Sequence, residues 1–242
     1  MKITQGILKI TSTKEVARNT LLLTFEILAE NFQFMAGQFV SMKFGAKAWR
    51  AYSIASSPDN SELELVVRLV ENGVASQKFS NAQIGDSFDF KGPFGHFMLS
   101  NHQTSGLIFC ATGTGIAPFK GMIQQESKSI SPRTMTLLYG GRDSKDLAYL
   151  SEISHWAPHL KVHLGLSQIT NKEKDILIQN FPQFQIHPTR ITEILHSQVL
   201  PSLSHPDSEF YLCGNGYMVK SIQAILHEAS IPNEQIFFER FN

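Results

Sequence analysis

The chain has 242 residues, enough for one large domain or two ordinary ones, and 42% of them are hydrophobic, which is sufficient for one or two buried cores. Its 21 basic and 21 acidic residues give a formal net charge of zero, and hence no general attraction to nucleic acid or to an anionic membrane. No apolar stretch approaches the ~20 residues of a bilayer span, and the first residues, MKITQG, lack a signal peptide's apolar core, so we expect a cytoplasmic protein.

The first hundred residues predict mostly β-structure. The segments are short and rich in β-branched or aromatic residues, and several alternate polar and apolar residues, as Glu62-Leu63-Glu64-Leu65 does. Turn residues separate them at intervals of roughly 8–15 residues, which is typical of an antiparallel sandwich or barrel. The predicted strands cover residues 3–11, 20–28, 37–44, 50–56, 62–70 and 86–92.

The pattern changes near residue 104, and we place a domain boundary at residues 100–106. Strands and helices then alternate, which predicts a parallel sheet with helices on both faces. Residues 167–190 show no clear pattern and are expected to form a surface excursion. Predicted strands cover 106–111, 134–141, 161–167, 209–214 and 235–241, and predicted helices cover 117–126, 146–157, 192–200 and 217–229.

The glycine-rich stretch TGTGIAP, residues 112–118, follows the first strand of this second half. Helix N-termini at the carboxyl ends of parallel strands offer free N–H groups to a pyrophosphate. Gly113 and Gly115 lack a Cβ and would let the backbone approach a phosphate, while Pro118 stands where a third glycine is common. A plain strand–turn–helix connection explains the same letters equally well.

The stretch RAYSIAS, residues 50–56, places Arg50 and Tyr52 on one side of a predicted strand. An alternating polar face of this kind is most often simply solvated. An arginine, an aromatic ring and the hydroxyl of Ser53 are also the groups that a flavin with its phosphates requires.

Two shorter motifs complete the first half. In NGVASQKF, residues 72–79, Gly73 opens a predicted helix whose start would present N–H groups. An ordinary capped helix explains it as well. In KGPFGHF, residues 91–97, the Gly-Pro pair is equally consistent with a plain turn.

Taken in order, the motifs R-x-Y-S, G-V-x-S, G-P-x-G and T-G-T-G-I-A-P resemble the ferredoxin–NAD(P)H reductase superfamily. YGGRDSKDLAY (139–149), CGNGYMV (213–219) and the ending FFERFN extend the resemblance over nearly the whole chain. It implies an antiparallel Greek-key β-barrel that binds FAD, followed by a five-stranded parallel α/β domain that binds NAD(P)H. We place these domains at residues 1–102 and 103–242.

The resemblance also implies roles for residues of the FAD site. Arg50 would contact the FAD pyrophosphate, Tyr52 would stack on the flavin, and Ser53 would hydrogen-bond near flavin N5. The remaining residues expected at this site are Ala51, Gly73, Val74, Ala75 and Ser76.

For the second site, the resemblance implies that the pyrophosphate of the nicotinamide dinucleotide lies on Thr112, Gly113, Thr114, Gly115 and Pro118. Cys213 and Gly214 would border the nicotinamide, with Glu239 near the hydride path. Phe241 or its neighbour Phe238 would cover the flavin. Ser53, Cys213 and Glu239 are thus the expected catalytic residues. Without the resemblance, a cysteine at a strand end is most often a small buried hydrophobe, and we do not expect a nucleophile.

The resemblance also bears on the choice of coenzyme. Many NADP-using relatives have an arginine after the serine of the segment LGLSQ, whereas Gln168 follows Ser167 here. A glutamine brings no charge to a 2′-phosphate. Arg142 and Arg190 remain as phosphate partners. The sequence favours NADH and leaves NADPH open.

Metal chemistry has little support in the sequence. His155, His159 and His163 are spaced by four, but Pro158 interrupts the helix, so they are expected to be surface histidines. Cys110 and Cys213 are too few for a cluster held by four thiolates. An iron–sulfur acceptor is therefore expected on a partner and not on a fused domain.

The function implied by the resemblance is an FAD-dependent NAD(P)H reductase. A hydride would pass from nicotinamide C4 to flavin N5, and electrons would then leave to a separate ferredoxin, flavodoxin or oxygenase component. One alternative is a free-flavin reductase, against which the NGVAS motif argues. The other is a non-catalytic redox regulator that binds flavin or nucleotide.

Overall fold

The computed structural model describes residues 2–46, 48–102, 104–203 and 207–241. These residues contain two six-stranded sheets, one antiparallel and one parallel. The expected order of a β module followed by an α/β module is therefore confirmed.

The antiparallel sheet has the strand order β4-β3-β6-β1-β2-β5. A bridge between Ile54 and Leu65, together with a hydrogen bond from Ala55 N to Glu64 O of 2.8 Å, joins the end of β4 to β5 and curls the sheet into a barrel. The strands are β1 Thr4–Ala17, β2 Thr20–Leu28, β3 Phe39–Phe44, β4 Ala48–Ser53, β5 Glu62–Arg68 and β6 Ser87–Phe94, with helix α1 at Val74–Ser80 before β6. All six strands predicted for this half are confirmed.

The barrel core is built by alternation. In β5 every second residue from Leu63 to Val67 is buried, while Glu64 between the first two is partly exposed. Aromatic rings fill much of the interior, with Phe44 and Phe79 in edge-to-face contact at 5.1 Å between ring centroids.

The parallel sheet has the order β10-β9-β8-β7-β11-β12. Its central strand β7 is buried along six of its seven residues, as its apolar sequence predicts. The strands are β7 Gly106–Thr112, β8 Thr134–Gly141, β9 Lys161–Leu166, β10 Phe184–His187, β11 Glu209–Asn215 and β12 Ile236–Phe241. The helices are α2 Ala117–Ser127, α3 Asn171–Asn180, α4 Ile191–Ile194, α5 Leu200–Ser202 and α6 Gly216–Glu228, and a π-turn, Leu195–Val199, joins α4 to α5.

The fold class is confirmed, with one strand more than the five expected. The additional strand β10 and helix α3 lie in residues 167–190, where the sequence showed no pattern. Among the residues of α3, Leu177 is buried whereas Ile176 and Ile178 are exposed, so the usual apolar stripe is missing.

The helix predicted at residues 146–157 is wrong. The structure has short 3₁₀ turns at Ser144–Asp146 and Ile153–His155 instead. Between them Tyr149 has φ +61°, which no α-helical residue adopts, because a right-handed helix needs φ near −63°.

The chain contacts divide the molecule into two units that do not follow the sequence strictly. The first unit comprises Met1–Ser100 and Ala117–Gln125, and the second comprises Asn101–Ile116 and Glu126–Asn242. Most of α2 thus belongs to the first unit, where Lys120 Nζ donates to Glu64 Oε2 at 2.5 Å and both side chains are largely buried.

A buried ionic network lies at the start of β11 in the second unit. Glu209 is fully buried and accepts hydrogen bonds from Arg133 Nη1 at 3.4 Å and Tyr211 Oη at 3.0 Å. Arg133 also pairs with Glu126 Oε2 at 2.8 Å. Since each buried charge has a partner of opposite sign, the network offsets part of the cost of removing these groups from water.

Candidate functional site

The parallel sheet has a topological switch point between β7 and β11. From β7 the chain builds β8, β9 and β10 outward on one side, and it then returns to place β11 and β12 on the other. In open α/β sheets ligands bind in the crevice that this reversal leaves at the carboxyl ends of the strands. The loops after β7 and β11 therefore define a candidate dinucleotide site within the second unit.

The loop after β7 is the glycine-rich stretch. Gly113–Ile116 form a 3₁₀ turn that leads directly into α2. Gly113 has φ +55°, and a Cβ at this position would meet no atom within 4 Å, so the backbone faces open space there. Tyr139 Oη donates to Gly113 O at 3.0 Å and accepts from Ala148 N at 3.0 Å, which fixes the loop.

The loops after β7 and β11 lie against each other. A Cβ at Gly115 would overlap the carbonyl group of Cys213 and lie 2.6 Å from Gly214 N. A Cβ at Gly214, whose φ is +128°, would lie 2.5 Å from Thr112 O. Both positions therefore require glycine because backbone meets backbone.

A hydrogen bond completes this junction. Asn215 N donates to Thr112 Oγ1 at 3.1 Å, and the side chain of Asn215 caps α6 by accepting from Tyr217 N at 2.9 Å. The structure thus brings Thr112, Gly113, Gly115, Cys213 and Gly214 together, as expected for one site. Pro118 is buried in the first turn of α2, where a missing N–H is tolerated.

Cys213 and the end of the chain share one face of the sheet. Cys213 pairs with Glu239 across the ladder, and burial together with the Glu239 carboxylate raises the thiol pKa well above its usual range. Phe241 pairs with Asn215 and lies on the same face as Glu239, whereas Phe238 alternates to the opposite face, under the Arg240 guanidinium at 4.9 Å. Phe238 and Phe241, the two candidates for covering the flavin, are therefore not interchangeable.

The other side of the crevice is the carboxyl edge of β8 and β9. Gln168 N donates to Arg142 O at 2.8 Å, so these two residues are neighbours after their strands. Arg142 forms a bidentate ion pair with Asp146, at 2.9 Å through Nε and 3.2 Å through Nη2. This ion pair raises the pKa of Arg142. Arg190 precedes α4 and is exposed.

In the barrel, the predicted flavin residues lie on the edge strand β4. Arg50 and Ala51 are exposed, Tyr52 is half-buried and Ser53 is buried. Tyr52 is held against Phe44 and Phe79 by edge-to-face contacts. Burial raises the Tyr52 pKa to about 12, while the nearby Arg50 charge opposes the shift.

The predicted helix start after Gly73 is confirmed. Gly73 is the N-cap of α1, and no described side chain caps its first turn, so Val74 and Ala75 begin the helix without a side-chain partner for their N–H groups. Ser76 is buried, and its Oγ accepts from Val70 N at 2.8 Å, which fixes the preceding loop.

Sequence reasoning missed Asn215 and the hydroxyl role of Tyr139. Both lie in motifs that carried the resemblance, but their partners are distant in sequence. His163 lies against His187, with 3.2 Å between Nδ1 and Nε2, and not with His155 and His159. Among the described residues, no three His, Cys, Asp or Glu side chains are placed to share a metal ion. The helices described are all too short or too polar to span a bilayer.

Comparison with known proteins agrees with this arrangement. The oxidoreductase FAD-binding domain family matches residues 7–99, and the oxidoreductase NAD-binding domain family matches residues 109–224. A barrel of the first kind joined to a sheet of the second defines a two-domain flavoprotein oxidoreductase. The chain belongs to the ferredoxin–NAD(P)H reductase superfamily.

Individual relatives are similar over most of this chain. The anthranilate 1,2-dioxygenase electron transfer component of Acinetobacter baylyi is 27% identical over 96% of this chain and 66% of its own length. The Amycolatopsis cytochrome P450 reductase GcoB has a TM-score of 0.82 with 25% identity, over 99% of this chain and 70% of that one. A ferredoxin NADP+ reductase from Neisseria gonorrhoeae has a TM-score of 0.79 with 23% identity, over 98% of each chain, and shows the same fold. The chain spans 42% to 66% of the length of the oxygenase reductase components it matches in sequence.

Proposed function

We propose that the protein is an FAD-dependent NAD(P)H reductase that delivers electrons to a separate acceptor protein, such as a ferredoxin, a flavodoxin or an oxygenase component. The observation that carries this proposal is the junction at the switch point, where Thr112, Gly115 and Gly214 form a tight backbone cradle beside open space at Gly113. Such a cradle suits a pyrophosphate. We assign FAD binding to residues 1–102 and NAD(P)H binding to 103–242, and we place the protein in the cytoplasm.

The dinucleotide site would act through backbone and shape. The N–H groups of the Gly113–Ile116 turn would bind the pyrophosphate without a cationic side chain. Thr114 stands in this turn and adds a hydroxyl beside the same phosphates. The loop is held by Tyr139, whose hydroxyl donates to the Gly113 carbonyl, and by Asn215, whose N–H donates to the Thr112 hydroxyl, so little order has to be gained on binding.

On the flavin side, the charge of Arg50 is available. Its Nη1 donates to the carbonyl oxygen of Trp49 at 2.9 Å, and no carboxylate among the described residues pairs with it. An exposed guanidinium of this kind can form charge-assisted bonds with a phosphate. The first turn of α1, from Val74 to Ser76, would supply further N–H donors, whereas Gly73 N already donates to Val70 O at 3.2 Å.

Tyr52 and Ser53 would orient the flavin ring. The high pKa of Tyr52 keeps its hydroxyl protonated at physiological pH, and its ring is fixed by Phe44 and Phe79, so it offers a rigid aromatic surface. Ser53 at the end of β4 contributes a hydroxyl for the expected contact near N5.

Cys213 and Glu239 would shape the nicotinamide end of the crevice. Because its pKa is raised, the Cys213 thiol stays protonated, which supports a role as a neutral wall and not as a nucleophile. Glu239 is its ladder partner, and Phe241 lies on the same face two residue pairs further along. When bound, FAD supplies the hydride acceptor and the source of single electrons.

Anaerobic titration of the purified protein tests this function. A yellow protein whose flavin absorbance is bleached by NADH or NADPH supports the reductase. A yellow protein that neither nucleotide bleaches would overturn it. A colourless protein that oxidises NAD(P)H only when free flavin is added would favour the free-flavin reductase instead.

A further inference from the structure

The order of the strands fixes where the adenosine half of the co-substrate must lie. With the pyrophosphate on the loop after β7 and the nicotinamide beside Cys213 on β11, the other half of the dinucleotide extends in the opposite direction, over β8 and β9. We call the residues that follow these strands, with the start of α4, the β8–β9 edge. It consists of residues 142–146, 167–168 and 189–193, with Glu173 of α3 beside it.

This edge contains side chains that could donate hydrogen bonds to a phosphate, but carboxylates of the same chain already accept from them. The Arg142 guanidinium is held by both oxygens of Asp146, which also accepts from Arg142 N at 3.1 Å. The Asp146 side chain is 12% exposed, so its position is fixed.

The hydroxyl donors are occupied in the same way. Ser144 donates through Oγ at 2.6 Å and through N at 3.1 Å to one oxygen of Glu173, whose own N–H is capped by Thr170. Thr189 Oγ1 donates to Glu193 Oε2. Three donor side chains, one guanidinium and two hydroxyls, therefore each face a carboxylate, and a dianionic phosphate would have to displace it.

The charge balance of the edge points the same way. Gln168, which lies next to Arg142, brings no charge. Arg190 is the one arginine of the edge for which the described chain shows no side-chain partner, and Glu193 lies one helical turn away from it. The acidic residues are Asp143, Asp146, Glu173 and Glu193, and the basic ones are Arg142, Lys145 and Arg190.

We infer that the β8–β9 edge selects an adenosine ribose without a 2′-phosphate, so that NADH is the co-substrate and Asp146, Glu173 and Glu193 are positioning residues that exclude NADPH. The inference rests on the proposed reductase function and specifies its donor. Carboxylates and an amide suit ribose hydroxyls, which donate hydrogen bonds, whereas the same carboxylates repel a phosphate.

Calorimetric titration of the FAD-loaded protein with ADP-ribose and with 2′-phospho-ADP-ribose tests the inference without turnover. The unmodified protein is expected to bind ADP-ribose at least tenfold more tightly. Asp146→Asn and Glu193→Gln should each narrow this ratio by about fivefold, the effect of removing one charge several ångströms from a dianion in a water-like medium. Gln168→Arg, which adds a cation, should narrow it too.

Glu228→Gln is the matched control, because it removes an exposed carboxylate at the end of α6, outside the edge, and should leave the ratio unchanged. If the unmodified protein binds ADP-ribose and 2′-phospho-ADP-ribose equally, or binds the phosphorylated one more tightly, this result alone overturns the inference. Anaerobic reduction of the flavin distinguishes failure of this inference from failure of the proposed reductase function. If NADPH bleaches it as well as NADH, the inference fails and the reductase stands. If neither nucleotide binds or bleaches it, both fail.

Discussion

Replacement of Gly115 by alanine is the sharpest test of the junction at the switch point. The added methyl group would overlap the Cys213 carbonyl and lie 2.6 Å from Gly214 N. These are backbone atoms of β11 and the loop after it, so no side-chain rotation can make room. The loop after β7 must therefore move away from β11, and the Asn215 N to Thr112 Oγ1 bond of 3.1 Å lengthens with it.

The expected loss follows from overpacking. Inserting a methyl group into a filled site costs about 1–3 kcal/mol, and the rigid surroundings place this case at about 2–3 kcal/mol. For a unit of this size that corresponds to a decrease of about 5–10 °C in the midpoint of thermal unfolding. Scanning calorimetry of the FAD-loaded protein measures it, and the KM for NADH should rise because the pyrophosphate loop has moved.

Gly216→Ala is the matched control in the same crevice. Gly216 opens α6, has no positive φ, and a Cβ there meets nothing within 4 Å, so the change should be neutral or slightly stabilising. FAD content should be unchanged in both variants. If Gly115→Ala unfolds at the temperature of the unmodified protein and keeps its KM for NADH, the junction does not restrict this site and the reasoning is refuted.

Three further outcomes are expected. Arg50→Ala should purify with substoichiometric FAD, whereas its FAD-free form should unfold like the unmodified FAD-free protein because the side chain is exposed; full flavin content by absorbance would contradict the phosphate assignment. Arg133→Met should lower the free energy of unfolding by about 3–5 kcal/mol, since it removes the guanidinium that pairs with the buried carboxylates of Glu126 and Glu209, and a loss below about 1 kcal/mol would refute this. Burial and the neighbouring His187 lower the His163 pKa to about 4, so the unfolded chain binds more protons between pH 6.5 and 4. The free energy of unfolding should therefore decrease as the pH is lowered from 6.5 to 4, and His163→Gln should make this decrease smaller in calorimetric scans.

Most of the fold follows from local pattern. Alternation and β-branched composition located every barrel strand, and continuous apolar runs located the central strands of the parallel sheet. The errors have local physical causes. Tyr149 interrupts a helical pattern through a left-handed φ, which no hydrophobic period reveals. Helix α3 buries little beyond Leu177, and β10 is a four-residue edge strand, so neither gives a periodic signal.

The candidate site was predictable as a set of motifs but not as a geometry. The sequence indicates that Gly113 and Gly115 belong to one loop, and it assigns both the same purpose. The structure shows that the two glycines have different roles, because Gly113 faces open space with a positive φ whereas Gly115 faces the Cys213 backbone. Likewise Arg142 is a free cation in the sequence, and only its 2.9 Å contact with Asp146 shows that the charge is occupied.

The assignment of α2 residues Ala117–Gln125 to the first unit has a consequence for exchanging parts between family members. A chimaera joined at residues 100–106 would supply the barrel from one parent and α2 from the other. The largely buried Glu64 carboxylate, which pairs with Lys120 here, would then depend on a residue of the other parent for its counter-charge. The two halves are interleaved along the chain and are not independent cassettes. A working chimaera needs a second crossover after α2, so that Lys120 and Glu64 are inherited together.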